Sequence, residues 1–175
     1  MFDTSYKFRS IHHNKIKIGQ FDVIQHKLTF CCKKNQQYIV HVDEFRHNLY
    51  IISFYLKSQR FSEKTRYKIK SNLNIPAGII RSCINILIEF YKKYPFASFG
   101  FVGERSKDED ADCITKRFKV YSKVVKNFIS PIDFNHYAFP DKNVYLLLNK
   151  DNMESDILKK IEAIFDELIE SPTES

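Results

Sequence analysis

The sequence predicts an α+β fold: a largely antiparallel sheet built from an N-terminal meander and covered on one face by about three helices. Three observations carry that prediction. Through the first 70 residues, apolar side chains come in short alternating or β-branched stretches separated by polar turns, which is strand patterning. After Pro76 the spacing changes to three and four residues, the period of an amphipathic helix. Of the 175 residues, 43% are apolar and 15% aromatic, enough to bury a core without disulfides or structural metal. No linker or repeat divides the chain, so the expected organisation is a single α+β domain over residues 1–170 with a frayed tail at 171–175.

The candidate strands of the meander are Asn14 to Ile18, Phe21 to Gln25, Leu28 to Lys33, Tyr38 to Val42, Leu49 to Lys57 and Thr65 to Lys70. The second and third also read as one bent strand. Asn35-Gln36-Gln37 and His47-Asn48 suit the turns between them. Tyr50 to Leu56 is apolar on both pleat faces apart from Ser53, which fits a central strand. Between Pro76 and Pro95 a helix is expected, because Ile79, Ile80, Cys83, Ile84, Leu87, Phe90, Tyr91 and Tyr94 fall on one broad face. Arg81, Asn85 and Glu89 then look outward. Phe96 to Val102 reads as a strand ending near Gly100 and Gly103, followed by the charged loop Glu104 to Asp112. Thr115 can cap a helix running to about Phe128, with Phe118, Tyr121, Val124, Val125 and Phe128 as its stripe. Val144 to Leu148 makes a buried strand. A terminal helix over Glu154 to Glu170 carries Ile157, Leu158, Ile161, Ile164, Phe165, Leu168 and Ile169.

Composition excludes several functional classes. Four glycines, at 19, 78, 100 and 103, provide neither a dinucleotide fingerprint nor a P-loop, so no cofactor is expected. The apolar runs are too short to span a membrane, and Met1 to Arg9 lacks the apolar stretch of a secretory signal, so a cytoplasmic location and no membrane partner are expected. Cys31, Cys32, Cys83 and Cys113 lack zinc or redox spacing and read as reduced thiols. The histidines, His12, His13, His26, His41, His47 and His136, show no helical pairing for a metal, and none is expected. There is no nucleophile elbow or calcium loop. Catalytic residues are therefore not assigned; an enzyme would need a site assembled in space, visible first as a polar pocket holding histidine and carboxylate.

Charge supplies the positive signal. The formal net charge is +7, distributed as +9 over residues 1–70, +4 over 71–130 and −6 over 131–175. The acidic end could face a different partner from the basic front or shield it. Between residues 115 and 128, Lys116, Arg117, Lys119, Lys123 and Lys126 occur without one acid. Four of them, Lys116, Lys119, Lys123 and Lys126, repeat at three, four and three, so they share one helical face, where like charges oppose folding. The bland alternative is a solvated face balanced by Asp108-Glu109-Asp110. In the candidate strand at 65–70, alternation lines Lys64, Arg66, Lys68 and Lys70 on one side, with Lys15 and Lys17 repeating the arrangement. Edge protection is the plainer reason for such lysines. Together the two elements point to a non-enzymatic nucleic-acid-binding module that contacts single-stranded phosphates, with exposed aromatics as stacking platforms. The alternative is a protein-interaction or regulatory subunit of a bacterial stress or defence system, its partner a protein.

Gly100-Phe101-Val102-Gly103, Thr115 to Tyr121 and the Tyr145 to Leu148 strand resemble a group of small bacterial proteins with no established activity. That resemblance covers the second half of the chain, implies a bacterial cytoplasmic origin and brings no catalytic residues. In architecture alone, a strand-rich half followed by a helix is similar to the single-strand-binding sheets of the Whirly and Pur type, with too few strands in the second half for a clear repeat.

Overall fold

The computed structural model describes residues 5–61, 77–105, 109–110 and 112–170. Two long strands, β1 (Phe8–Ile18) and β2 (Phe21–Cys31), meet at a two-residue turn in which Gly19 takes φ +56°. Glycine adopts that geometry at no steric cost. Each strand is continuous where the sequence suggested shorter pieces, because cross-strand pairing carries polar residues such as His12 and His13 along with the apolar ones. The antiparallel run continues through β3 (Gln37–Phe45) and β4 (Leu49–Leu56). Asn35, His47 and Asn48 supply the left-handed residues of the two turns, φ 58°, 65° and 56°. All lie where turns were expected.

Helix α1 (Ala77–Lys93) crosses from β4 to β5 (Ser98–Val102), which pairs parallel to β4. A parallel pair needs such a crossover. Helix α2 (Lys116–Phe128) follows, then a hairpin of β6 (Phe134–Phe139) and β7 (Val144–Asn149), and finally α3 (Ile157–Glu170). The seven strands form one sheet in the order β1-β2-β3-β4-β5-β7-β6, with β4 in the middle as its two-sided apolar pattern predicts. The fold is α+β, and no helix among the described residues is long and apolar enough to cross a membrane.

The helices cover both faces of the sheet, not one. Helices α1 and α2 pack with Leu28, Val40, Tyr50, Phe99, Tyr145 and Leu147 in the larger core. Helix α3 packs its Ile161, Ile164 and Phe165 with Phe21, Phe45, Leu49, Ile51, Leu146 and Leu148 on the other side. The cause lies in β7, all six of whose residues are buried: successive side chains point to opposite faces, so both need cover. Strand β6 was not expected from the sequence. Only Phe134 along it is buried, and its pairing with β7 makes it a strand. Helix α3 starts at Ile157, after Glu154, and β5 starts at Ser98, after Phe96. The strand expected over 65–70 and the tail at 171–175 lie outside the described residues.

Candidate nucleic-acid interface

A buried polar knot fixes the start of α2. Thr115 Oγ1 accepts the Phe118 amide at 3.1 Å, capping the helix, and donates to the Gly103 carbonyl at 2.8 Å. The Thr115 amide donates to Asn143 Oδ1 at 2.7 Å, and the Gly103 amide to the Asn143 carbonyl at 2.7 Å. Asn143 takes the left-handed conformation, φ 53°, that closes the β6–β7 hairpin. A Cβ at Gly103 would stand 2.7 Å from the Phe118 nitrogen, so the close approach of β5 to α2 requires glycine there. Phe118, Tyr121, Val124 and Val125 then turn inward, and burial pushes the Tyr121 phenol far above its ordinary pKa. From α1, the Arg81 guanidinium stacks 3.9 Å from the centre of the Phe128 ring, so Arg81 is half-buried against α2 and does not look outward.

Opposite that stripe, Lys116, Lys119, Lys123 and Lys126 are exposed along α2. No ion pair among the described residues uses any of them. Glu109, in the acidic loop, accepts the backbone amide of Lys116 at 2.8 Å, at the positive end of the helix dipole. Arg117 is half-buried and has contacts of its own within the fold. Lys126 adds its positive field to the burial that holds His136 of β6 below the ordinary histidine range. The acidic C-terminal segment lies on the other side of the sheet: Asp166 of α3 binds Lys142, and Glu154 takes Lys160 at 2.7 Å. It does not shield α2.

Lys64, Arg66, Lys68 and Lys70 lie outside the described residues. Elsewhere in the meander, Lys15 and Lys17 are exposed, while Ile16 and Ile18 pack towards α3. Lys17 is paired with Asp22 at 3.0 Å. Sequence reasoning missed Arg9, Lys27, Lys57 and Arg60, which converge on a groove of about 460 Å³. Lys27 lies on β2 and Lys57 just past the end of β4, and the sequence held no signal that they meet. The groove opens on the face opposite α1 and α2: Leu28, Val40 and Phe54, which alternate with Lys27, Ile39 and Tyr55, pack into the larger core.

A second groove, of about 710 Å³, lies between β1, β2 and the end of α1, and does hold histidines with carboxylates. His26 Nε2 donates to Glu44 at 2.9 Å, and the His13 ring lies 5.8 Å from the His26 ring. Burial, with the hydrogen bond that Tyr50 donates to Glu44, pushes the Tyr50 phenol up. Phe90 meets the His26 ring edge-on at 5.1 Å. The Glu44 carboxylate of β3 thus ties side chains of β2 and β4, and α1 joins through the Phe90 ring on His26. No group of three or more His, Cys, Asp or Glu among the described residues could hold a metal ion. The four cysteines are free, with Cys31 exposed and Cys32 buried.

No family model, curated protein or solved structure matches the chain. Its own residues carry the functional reading.

Proposed function

We propose that the protein is a non-enzymatic nucleic-acid-binding module of the bacterial cytoplasm, with α2 as the element that meets single-stranded phosphates. The observation that carries this reading is the row of exposed lysines at 116, 119, 123 and 126 on a helix whose other face is locked into the core. A rigid helix holds its ammonium groups at fixed spacing, and like charges left together on it are relieved when a polyanion displaces their counterions. Four contacts imply a log affinity against log salt slope of about −2.8, or roughly a fiftyfold loss between 50 and 200 mM salt. Lys64, Arg66, Lys68 and Lys70 are the second basic element of the proposal.

Anisotropy of labelled single-stranded DNA, RNA and duplex tests the reading. Submicromolar binding with this slope, abolished when Lys119, Lys123 and Lys126 are changed together to Glu, supports it. Equal binding by the variant, or salt-insensitive binding, rejects it.

The regulatory-subunit reading draws on a different feature. Phe96, Ile132 and Met153 are exposed in the loops that precede β5 and β6 and follow β7, 55%, 78% and 86% open respectively. The Asn149 side chain ties the first loop by donating to the Pro95 carbonyl, and the Lys150 amide ties the second by donating to the Asp133 carbonyl. Nucleic-acid binding absent at 50 mM salt, with a co-purifying protein lost on changing Ile132 and Met153 to Asp, would select this reading.

A further inference from the structure

The cationic groove on the opposite face has the make-up of a ligand pocket. Arg9 from β1, Lys27 from β2, Lys57 and Arg60 after β4 bring positive groups to it, and no carboxylate is among the described residues that line the space. Ile39 and Tyr55, 2% and 5% exposed, close its base and belong to neither core, and Ile11, 46% exposed, is the open apolar side chain at its rim. One wall is preset by hydrogen bonds to neutral acceptors. Lys57 Nζ donates to Gln37 Oε1 at 2.9 Å, and Gln37 Nε2 donates to Thr29 Oγ1 at 3.0 Å. Thr29 Oγ1 in turn donates to the Tyr38 carbonyl at 2.8 Å. The Lys57 ammonium is therefore positioned by an amide, which leaves its charge uncompensated by any carboxylate among the described residues. The register slips between Ser10 and His12, a bulge that inserts Ile11 into β1 and turns the chain at the rim of the groove. Among the described residues, Arg9 and Lys27 join no ion pair.

Arg9, Lys27 and Lys57, gathered at one groove, repel one another until an anion enters, and a cavity of about 460 Å³ is of the size that small ligands occupy. We propose that this groove binds a terminal phosphate carried on a nucleoside-sized ring, the ring against the exposed Ile11 side chain at the rim and the phosphate between Arg9, Lys27 and Lys57. The inference is independent of the α2 reading, since the two surfaces lie on opposite faces of the sheet.

The probes are adenosine 5′-monophosphate, adenosine and inorganic phosphate, measured by isothermal titration calorimetry on the full chain. Saturable binding is expected for the monophosphate, weaker binding for phosphate and none for adenosine. Arg9→Glu and Lys27→Glu, at positions outside both cores, should each lower monophosphate affinity about tenfold to a hundredfold with the circular dichroism spectrum unchanged. Lys119, Lys123 and Lys126 changed together to Glu should leave it intact. In that α2 variant, a 5′-phosphorylated oligonucleotide binding more tightly than both its 5′-hydroxyl form and free monophosphate would identify a strand end as the source. Preference for the monophosphate would identify a free nucleotide. Adenosine binding as well as its monophosphate, affinity unchanged in folded Arg9→Glu and Lys27→Glu, or no binding at millimolar monophosphate would overturn the proposal. Loss of nucleic-acid binding through α2 would not.

Discussion

At the scale of single residues, a few polar side chains decide where loops sit. Glu154, just ahead of α3, accepts from Lys160 and from His47 in the β3–β4 turn, at 2.7 and 2.8 Å. Asn152 reinforces the link by donating to the His47 carbonyl at 3.1 Å. The Lys160 hydrogen bond, then that of His47, holds the Glu154 carboxyl below its ordinary value of 4.5. A carboxyl depressed in the folded state stabilises above its unfolded pKa, and that contribution is lost as the pH falls through the folded value. Thermal melts should therefore show Glu154→Gln less stable than the parent at pH 7, with the gap closing below about pH 4.5. A gap that stays constant down to pH 3 would show that the pair does not link protonation to folding. The sequence placed Glu154 inside the terminal helix; that it reaches a turn more than 100 residues earlier depends on which strands became neighbours.

Among the elements, α2 was the most legible. Its stripe at three and four spacing, its Thr115 cap and its lysine face could all be read locally, because each depends on helical period and on a side chain reaching its own backbone. The structure adds the tie to Gly103 and Asn143. Thr115 consequently does more than an ordinary cap, since its hydroxyl also satisfies a buried carbonyl of the loop after β5. Thr115→Ala should cost about 2 to 3 kcal/mol in urea unfolding, above the roughly 1 kcal/mol of a typical exposed cap. Thr115→Ser, which keeps the oxygen, should recover most of it. A loss in Thr115→Ala of 1 kcal/mol or less would mean that the knot contributes little beyond the cap. Strand β6 marks the other extreme. Phe134-Asn135-His136-Tyr137-Ala138-Phe139 has no strong period of its own and becomes a strand by hydrogen bonding to β7.

For the whole molecule, the sheet separates two cores. Val125 is fully buried with α1 and α2, and Ile164 is fully buried under α3. Ile164→Ala should cost about 2 to 5 kcal/mol, and Val125→Ala somewhat less because fewer methyl groups are removed. With no shared side-chain neighbours, the double variant should equal the sum of the singles to within about 0.5 kcal/mol in denaturant melts. A larger departure would show that the cores communicate through the strands. The same partition sets the lysines of α2 and the groove of Arg9, Lys27 and Lys57 on opposite sides, so one flat surface does not join them.

The amino-acid order alone determined the fold class, the central place of β4, the helices and the basic face of α2, because periodicity and capping act over a few residues. It did not determine that α3 would take the second face, that β6 would form, or that Arg9, Lys27 and Lys57 would surround one groove. Those outcomes follow from pairing between distant strands, and the energy of such contacts belongs to neighbours that only the folded chain brings together.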